Sequence, residues 1–141
     1  MRILVDTNVF LDFFLQRDIK GLEAKEFFIN CKKGKHQIYV TSMSIRDIGY
    51  VAHRYLKDNN KTRQLQLATY EMCSKVVGIS SDCVIESIYS EIKDFEDSLI
   101  IEAAKESLSD LIITSNIKDF ENSHFPVWTP KEFNEIVNRE N

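Results

Sequence analysis

The chain has 141 residues, 43% of them hydrophobic, enough for one ordinary core without disulfides or a structural metal. Its formal net charge of -4 offers no global attraction to nucleic acid, so any contact with phosphates must come from a local basic surface. The cysteines Cys31, Cys73 and Cys83 form neither a Cys-x-x-Cys pair nor a cluster with His36, His53 or His124, which argues against a zinc site.

The cysteines read instead as small buried residues of a protein kept in a reducing cytoplasm. No apolar run approaches the roughly twenty residues of a membrane span. The first apolar run is cut at Asp6 before a signal-peptide core can develop, so a soluble cytoplasmic protein with no membrane association is expected.

Arg2 to Val5 is a short apolar run of the kind that forms a central parallel strand covered on both faces, with Asp6 at its carboxyl end. Val9 to Phe14 is too densely apolar for a surface strand, and Leu22 to Cys31 has a 3.6-residue rhythm ended by Lys32, Lys33 and Gly34, so two helices follow. Lys32, Lys33, Lys35 and His36 complement the dipole at that helix end. Gln37 to Thr41 alternates as a second strand. Ser44 opens a helix to about Lys57, with Ile48, Val51, Ala52 and Tyr55 at helical spacing, and Asn59 and Asn60 break the pattern before another helix from Thr62 to Ser74.

Val76 to Ile79 is a third strand and Ser81 to Ile92 a helix. Asp94 to Leu108 is the clearest helix, with Leu99, Ile100, Ala103, Ala104 and Leu108 on one face. Leu111 to Thr114 is a fourth strand. The last helix begins at Thr129, with Pro130 in its first position and Glu132 completing a capping box. Trp128 and Phe13, Phe14, Phe27 and Phe28 read as core. Strands alternating with helices, without repeats or linkers, predict one domain over 1–141: a three-layer α/β/α fold around a parallel sheet of about four to five strands.

Ligands of open α/β sheets bind beyond the carboxyl ends of the strands. Asp6-Thr7-Asn8 follows the first strand, Asp47 lies just past the second, and Thr114-Ser115-Asn116 with Asp119 follows the fourth. The helix before the fourth strand opens Asp94-Phe95-Glu96-Asp97. Each acid alone reads equally well as a helix cap or a first-turn charge. Independent caps, however, need not collect at one edge of a sheet. Gathered carboxylates raise one another's pKa, and a divalent cation relieves the conflict. A hard ion such as Mg²⁺, keeping several waters, would leave room there for a phosphate and an attacking water.

The segments Ile3-Leu-Val-Asp-Thr-Asn-Val-Phe-Leu-Asp12, Thr41-Ser-Met-Ser-Ile-Arg-Asp47, Asp94-Phe-Glu-Asp-Ser-Leu-Ile-Ile-Glu-Ala-Ala104 and Thr114-Ser-Asn-Ile-Lys-Asp-Phe120 resemble, in order, the motifs of the PIN-domain superfamily, which includes VapC-type toxins. The resemblance implies Mg²⁺- or Mn²⁺-dependent cleavage of RNA, with a cognate antitoxin and a homodimer as partners. It places Asp6, Asp47 and Asp97 as the acids, Asp94 close by, and Asn8 and Thr114 orienting Asp6. Two positions depart from the pattern. Asp47 is shorter than the usual Glu, and Asn116 stands where an acid is common, leaving Asp119 to complete the set with Asp6 and Asp97 as metal ligand.

These departures keep a second reading open, a degenerate PIN-like module that binds RNA or protein without turnover. Two other Asp-bearing folds fit less well: the haloacid-dehalogenase phosphatases need an Asp where Asn8 stands, and receiver domains need an acidic pair at the first strand, although Lys118 could serve as their late lysine. On the helix after Ser44, Arg46, Tyr50, His53 and Lys57 share one face, with Arg54 adjacent. That stripe reads either as an ordinary solvated face or as a surface that holds the RNA backbone while Tyr50 stacks on a base.

Overall fold

The computed structural model describes residues 1–140; residue 141, the end of the expected domain, lies outside them. Its strands are β1 (Arg2–Val5), β2 (Gln37–Thr41), β3 (Lys75–Val77), β4 (Leu111–Ile113) and β5 (Val127–Trp128). They form one five-stranded sheet, parallel throughout, in the order β3-β2-β1-β4-β5. The chain builds outward from β1 to β3, then returns to lay β4 on the other side of β1. Val5 pairs in register with Ile113, so the residues that follow them, Asp6 and Thr114, leave the sheet side by side where the strand order reverses.

The helices are α1 (Thr7–Phe14), α2 (Asp18–Lys33), α3 (Ser42–Leu56), α4 (Asn59–Met72), α5 (Ser81–Ile88), α6 (Phe95–Glu106) and α7 (Pro130–Glu140), with a 3-10 turn at Ile117–Phe120. Side chains of a strand alternate between faces, and the core divides accordingly. Ile3, Val5, Ile38, Val40, Leu111 and Ile113 meet Val9, Phe10, Phe27, Phe28, Ile48 and Phe133 from α1, α2, α3 and α7. Leu4, Tyr39 and Ile112 meet Ile100, Ala103 and Ala104 of α6 on the opposite face. With both faces covered, the strands carry apolar residues at consecutive positions, which is why β1 reads as a continuous run. Phe27 and Phe28 are buried in this core, and Phe13, Phe14 and Trp128 pack half-buried against it.

Several boundaries differ from those expected. Helix α3 begins at Ser42, because Thr41, the last residue of β2, is itself the cap and accepts the Ser44 amide at 3.0 Å. Helix α4 begins at Asn59, the supposed breaker, because Asp58 caps it by accepting the Lys61 amide at 3.0 Å while Lys57 turns the chain with φ 50. β3 covers 75–77 and α5 stops at Ile88. β5 is a two-residue edge strand where no strand is expected and only Trp128, as core, is singled out. The capping box at α7 is present: Thr129 Oγ1 accepts the Glu132 amide at 3.1 Å, and Glu132 accepts the Thr129 amide at 3.0 Å. Among the described residues no helix is long and apolar enough to cross a membrane.

Candidate active site

Asp6 caps α1, its Oδ1 accepting the Thr7 amide at 2.8 Å, while its Oδ2 accepts the Thr114 hydroxyl at 2.9 Å from the end of β4. Capping and site-building are therefore the same arrangement: the two bonds fix the carboxylate at the point where the sheet reverses. Asn8, expected to share this role, does not hydrogen-bond Asp6; it lies one residue into α1, where its side chain is exposed on the wall of the cleft. The Thr7 amide takes its place.

A cleft of about 360 Å³ opens above Asp6. Its charged walls are Asp6, Asp47, Glu96, Asp97 and Asp119 against the single cation Arg46, and its other walls include Asn8, Met43, Tyr50 and Ile100. Asp47 lies in the second turn of α3, Asp97 in the first turn of α6, and Asp119 in the 3-10 turn. Beneath the cleft, the hydroxyls of Thr7 and Thr41 both donate to Ser44 Oγ, at 2.9 and 3.0 Å, which ties the starts of α1 and α3 together and holds Asp6 and Asp47 to the same side.

The other expected residues divide around this centre. Asp94 caps α6, accepting the Asp97 amide at 3.1 Å, and lines an adjoining cavity of about 470 Å³ whose wall includes Asp97 and Asp119. Asn116 donates to Asp119 Oδ2 at 2.9 Å, so it braces the acid and does not itself line the cleft. The α3 stripe also splits. Arg46 and Tyr50 line the cleft, His53 lies 3.5 Å from Thr62 on α4, and Lys57 sits beyond the helix end.

Two residues escaped the sequence reading. Glu96 looks like an ordinary first-turn acid, and its neighbour Asp97 was the only available signal. Asp12 closes the first motif; it is buried, accepting Ser115 Oγ at 2.6 Å and pairing with Arg17 at 3.4 Å, and so ties the loop after β4 to α1.

The electrostatics are those of crowded acids. Burial, and then the charges of Asp94, Asp6, Asp119 and Glu96, push the Asp97 carboxyl up to about 7. Burial also raises Asp6; the bonds from Thr114 and Thr7 pull it down, and Asp119 and Asp47 push it up again. Asp47 has a cation of its own, since Arg46 donates to its Oδ1 from Nε at 3.2 Å and from Nη2 at 2.9 Å. The cysteines stand outside this site. Burial pushes the Cys31 and Cys73 thiols up to about 12, as suits inert packing groups.

The family model for the PIN domain matches residues 2–118. The chain belongs to the PIN-domain family. Solved structures similar to this PIN domain include VapBC2 from Rickettsia felis bound to a DNA fragment from its promoter, with a TM-score of 0.69, 15% identity, and coverage of 92% of this chain and 98% of that one. A toxin-antitoxin complex from Klebsiella pneumoniae has a TM-score of 0.66 and 24% identity, covering 91% and 97%. FitAB bound to the IR36 DNA fragment has a TM-score of 0.66 and 13% identity, covering 92% and 95%. At these identities the likeness is one of fold. Among curated proteins no sequence matches this PIN domain.

Proposed function

We propose that this PIN domain is a divalent-metal-dependent ribonuclease and the toxin of a toxin-antitoxin pair. The observation that carries the reading is the convergence of acids from four separate elements, Asp6, Asp47, Asp97 and Asp119, on one cleft at the reversal point of the sheet. Family membership and the toxin-antitoxin neighbours support it.

The donor set fits Mg²⁺ or Mn²⁺, since every candidate is a hard carboxylate oxygen and a cation offsets both the burial and the mutual repulsion that raise Asp97 and Asp6. Asp6, Asp97 and Asp119 would hold the ion, and Asp47 would join once released from Arg46. When bound, the ion supplies charge to polarise a phosphodiester and activate water. The chain's own residues do the positioning: Thr114 and Thr7 aim Asp6, Asn116 braces Asp119, and Arg46 at the rim is placed to meet a phosphate oxygen.

One observation favours the second reading, a module that binds without turnover. Among the described residues no three Asp, Glu, His or Cys side chains form a ready-made group for a metal ion, and Asp47 is already paired with Arg46. Titration with Mn²⁺ followed by calorimetry separates the two. The nuclease reading expects saturable binding that weakens in Asp6→Asn and in Asp97→Asn; absence of binding to the parent chain would favour the degenerate module.

The inferred partners are a cognate antitoxin, supported by the neighbours described as toxin-antitoxin complexes, and a second copy of the chain. We further infer that 1–141 is one domain. Helix α7, beyond the family match, packs its Phe133 ring 5.0 Å from Phe27, and Asn134 donates to Glu23 O at 3.0 Å. A cytoplasmic location goes with this reading.

A further inference from the structure

Tyr50 stands in the wall of the acidic cleft, one turn along α3 from Asp47, with 63% of its surface exposed. It contributes little to the core, yet its ring is held in place. Arg54, one turn further on, donates from Nη2 to the Tyr50 hydroxyl at 2.7 Å and sets its guanidinium carbon 4.6 Å from the ring centroid. Among the described residues Arg54 forms no ion pair, and it is not part of the cleft wall. With Arg54 against it the ring still keeps most of its surface exposed. The other cation of the stripe that lies at the cleft, Arg46, is bound to Asp47.

We propose that Tyr50 and Arg54 form a stacking site for one nucleobase of a single-stranded RNA, next to the phosphate presented to the acidic cleft. The inference rests on the ribonuclease reading and names how its substrate is held. A cleft with five acids repels a polyanion, so strand binding needs a contribution that does not depend on charge, and a base laid on an aromatic ring supplies one that tolerates any sequence. Arg54 adds a cation beside the strand and keeps the ring from rotating away. A duplex keeps its base faces covered by neighbouring pairs and could not use the site, whereas an unpaired nucleotide could.

The test is an abasic scan. Short single-stranded RNA oligomers, each lacking one base at successive positions around the cut, are cleaved with Mn²⁺ under single-turnover conditions by the parent chain, Tyr50→Ala, Tyr50→Trp and Arg54→Gln. We expect one position at which loss of the base raises the half-saturating RNA concentration roughly tenfold for the parent. Tyr50→Ala should bind intact RNA as weakly as the parent binds that abasic oligomer, with no further loss from the abasic change. Tyr50→Trp should restore most of the affinity, and Arg54→Gln should fall between. If the parent cleaves RNA but the scan is flat, or if the Tyr50→Ala and abasic losses simply multiply, the stacking site is wrong and the nuclease reading stands. If the parent neither cleaves the oligomers nor binds them in Ca²⁺, both fall together.

Discussion

Asp97 is, with Asp6, one of two carboxyls of the site held above the ordinary carboxylate range. Its carboxyl is pushed from 3.8 up to about 7, first by burial and then by Asp94, Asp6, Asp119 and Glu96. Between those two pH values the folded chain holds a proton that the unfolded chain has released, so this group's contribution to stability falls as pH rises from 3.8 to about 7 and is level above that. Metal-free protein should therefore lose thermal stability across that window. Asp97→Asn should show a shallower fall and melt higher than the parent at neutral pH, because neither a buried charge nor its conflict with the neighbouring acids is left. Superimposable pH profiles for the two proteins would mean that the acids are not crowded in the way described.

A second prediction at this scale concerns Asp12, buried and bonded to Ser115 and Arg17. Asp12→Ala strands both partners and should cost about 2 kcal/mol in urea denaturation. Asp12→Asn, which keeps an acceptor for Ser115, should cost less; equal stability of Asp12→Ala and the parent would show that the tie is idle. The acids Asp6, Asp47, Asp97 and Asp119 were legible in the sequence because each stands at a strand end or in a helix turn belonging to a motif. Glu96 and the Asp12 tie were not. An acid in a first turn looks the same whether it faces solvent or a cleft, and the Asp12–Ser115 bond joins residues 103 positions apart.

Helices α1, α3 and α6 each begin at a side-chain cap, and the site is built on those caps. Thr41 ends β2, caps α3, and donates to Ser44 Oγ within the hydroxyl cluster that aligns α3 with α1. Thr41→Val keeps the shape and removes these bonds, so it should lower stability by about 1 kcal/mol, whereas Thr41→Ser should retain most of it. A chemical denaturation series would show the opposite ranking if β-branching, not capping, is what matters at this position. The same economy explains which boundaries were readable. β1, a continuous apolar run, falls where expected; α6 keeps its predicted start and apolar face but ends at Glu106, so Leu108, expected on that face, turns out at φ 57 and is exposed. The start of α3 was misplaced because its cap is a strand residue, and the start of α4 because Asp58 converts two apparent breakers into a first turn. β5, with two residues, is too short for any periodicity; only pairing with β4 makes it a strand.

For the whole molecule, the order of the sheet is the decisive feature. Placing β4 beside β1 sets Thr114 against Asp6 and brings the turn bearing Asp119 to the same edge as α1 and α3. Five acids against one arginine at this edge supply the negative charge that the proposed divalent ion would meet, and substrate attraction is left to local features. Because the proposed metal would compete with protons on Asp97 and Asp6, Mn²⁺ should raise the melting temperature more above pH 7 than below it. The most direct measurement is cleavage of single-stranded RNA by the purified chain in Mn²⁺ and in chelator, set beside Asp6→Asn with its folded state verified by circular dichroism. The account predicts cleavage by the parent in Mn²⁺ alone and none by the variant; cleavage that persists in chelator, or in folded Asp6→Asn, would contradict it.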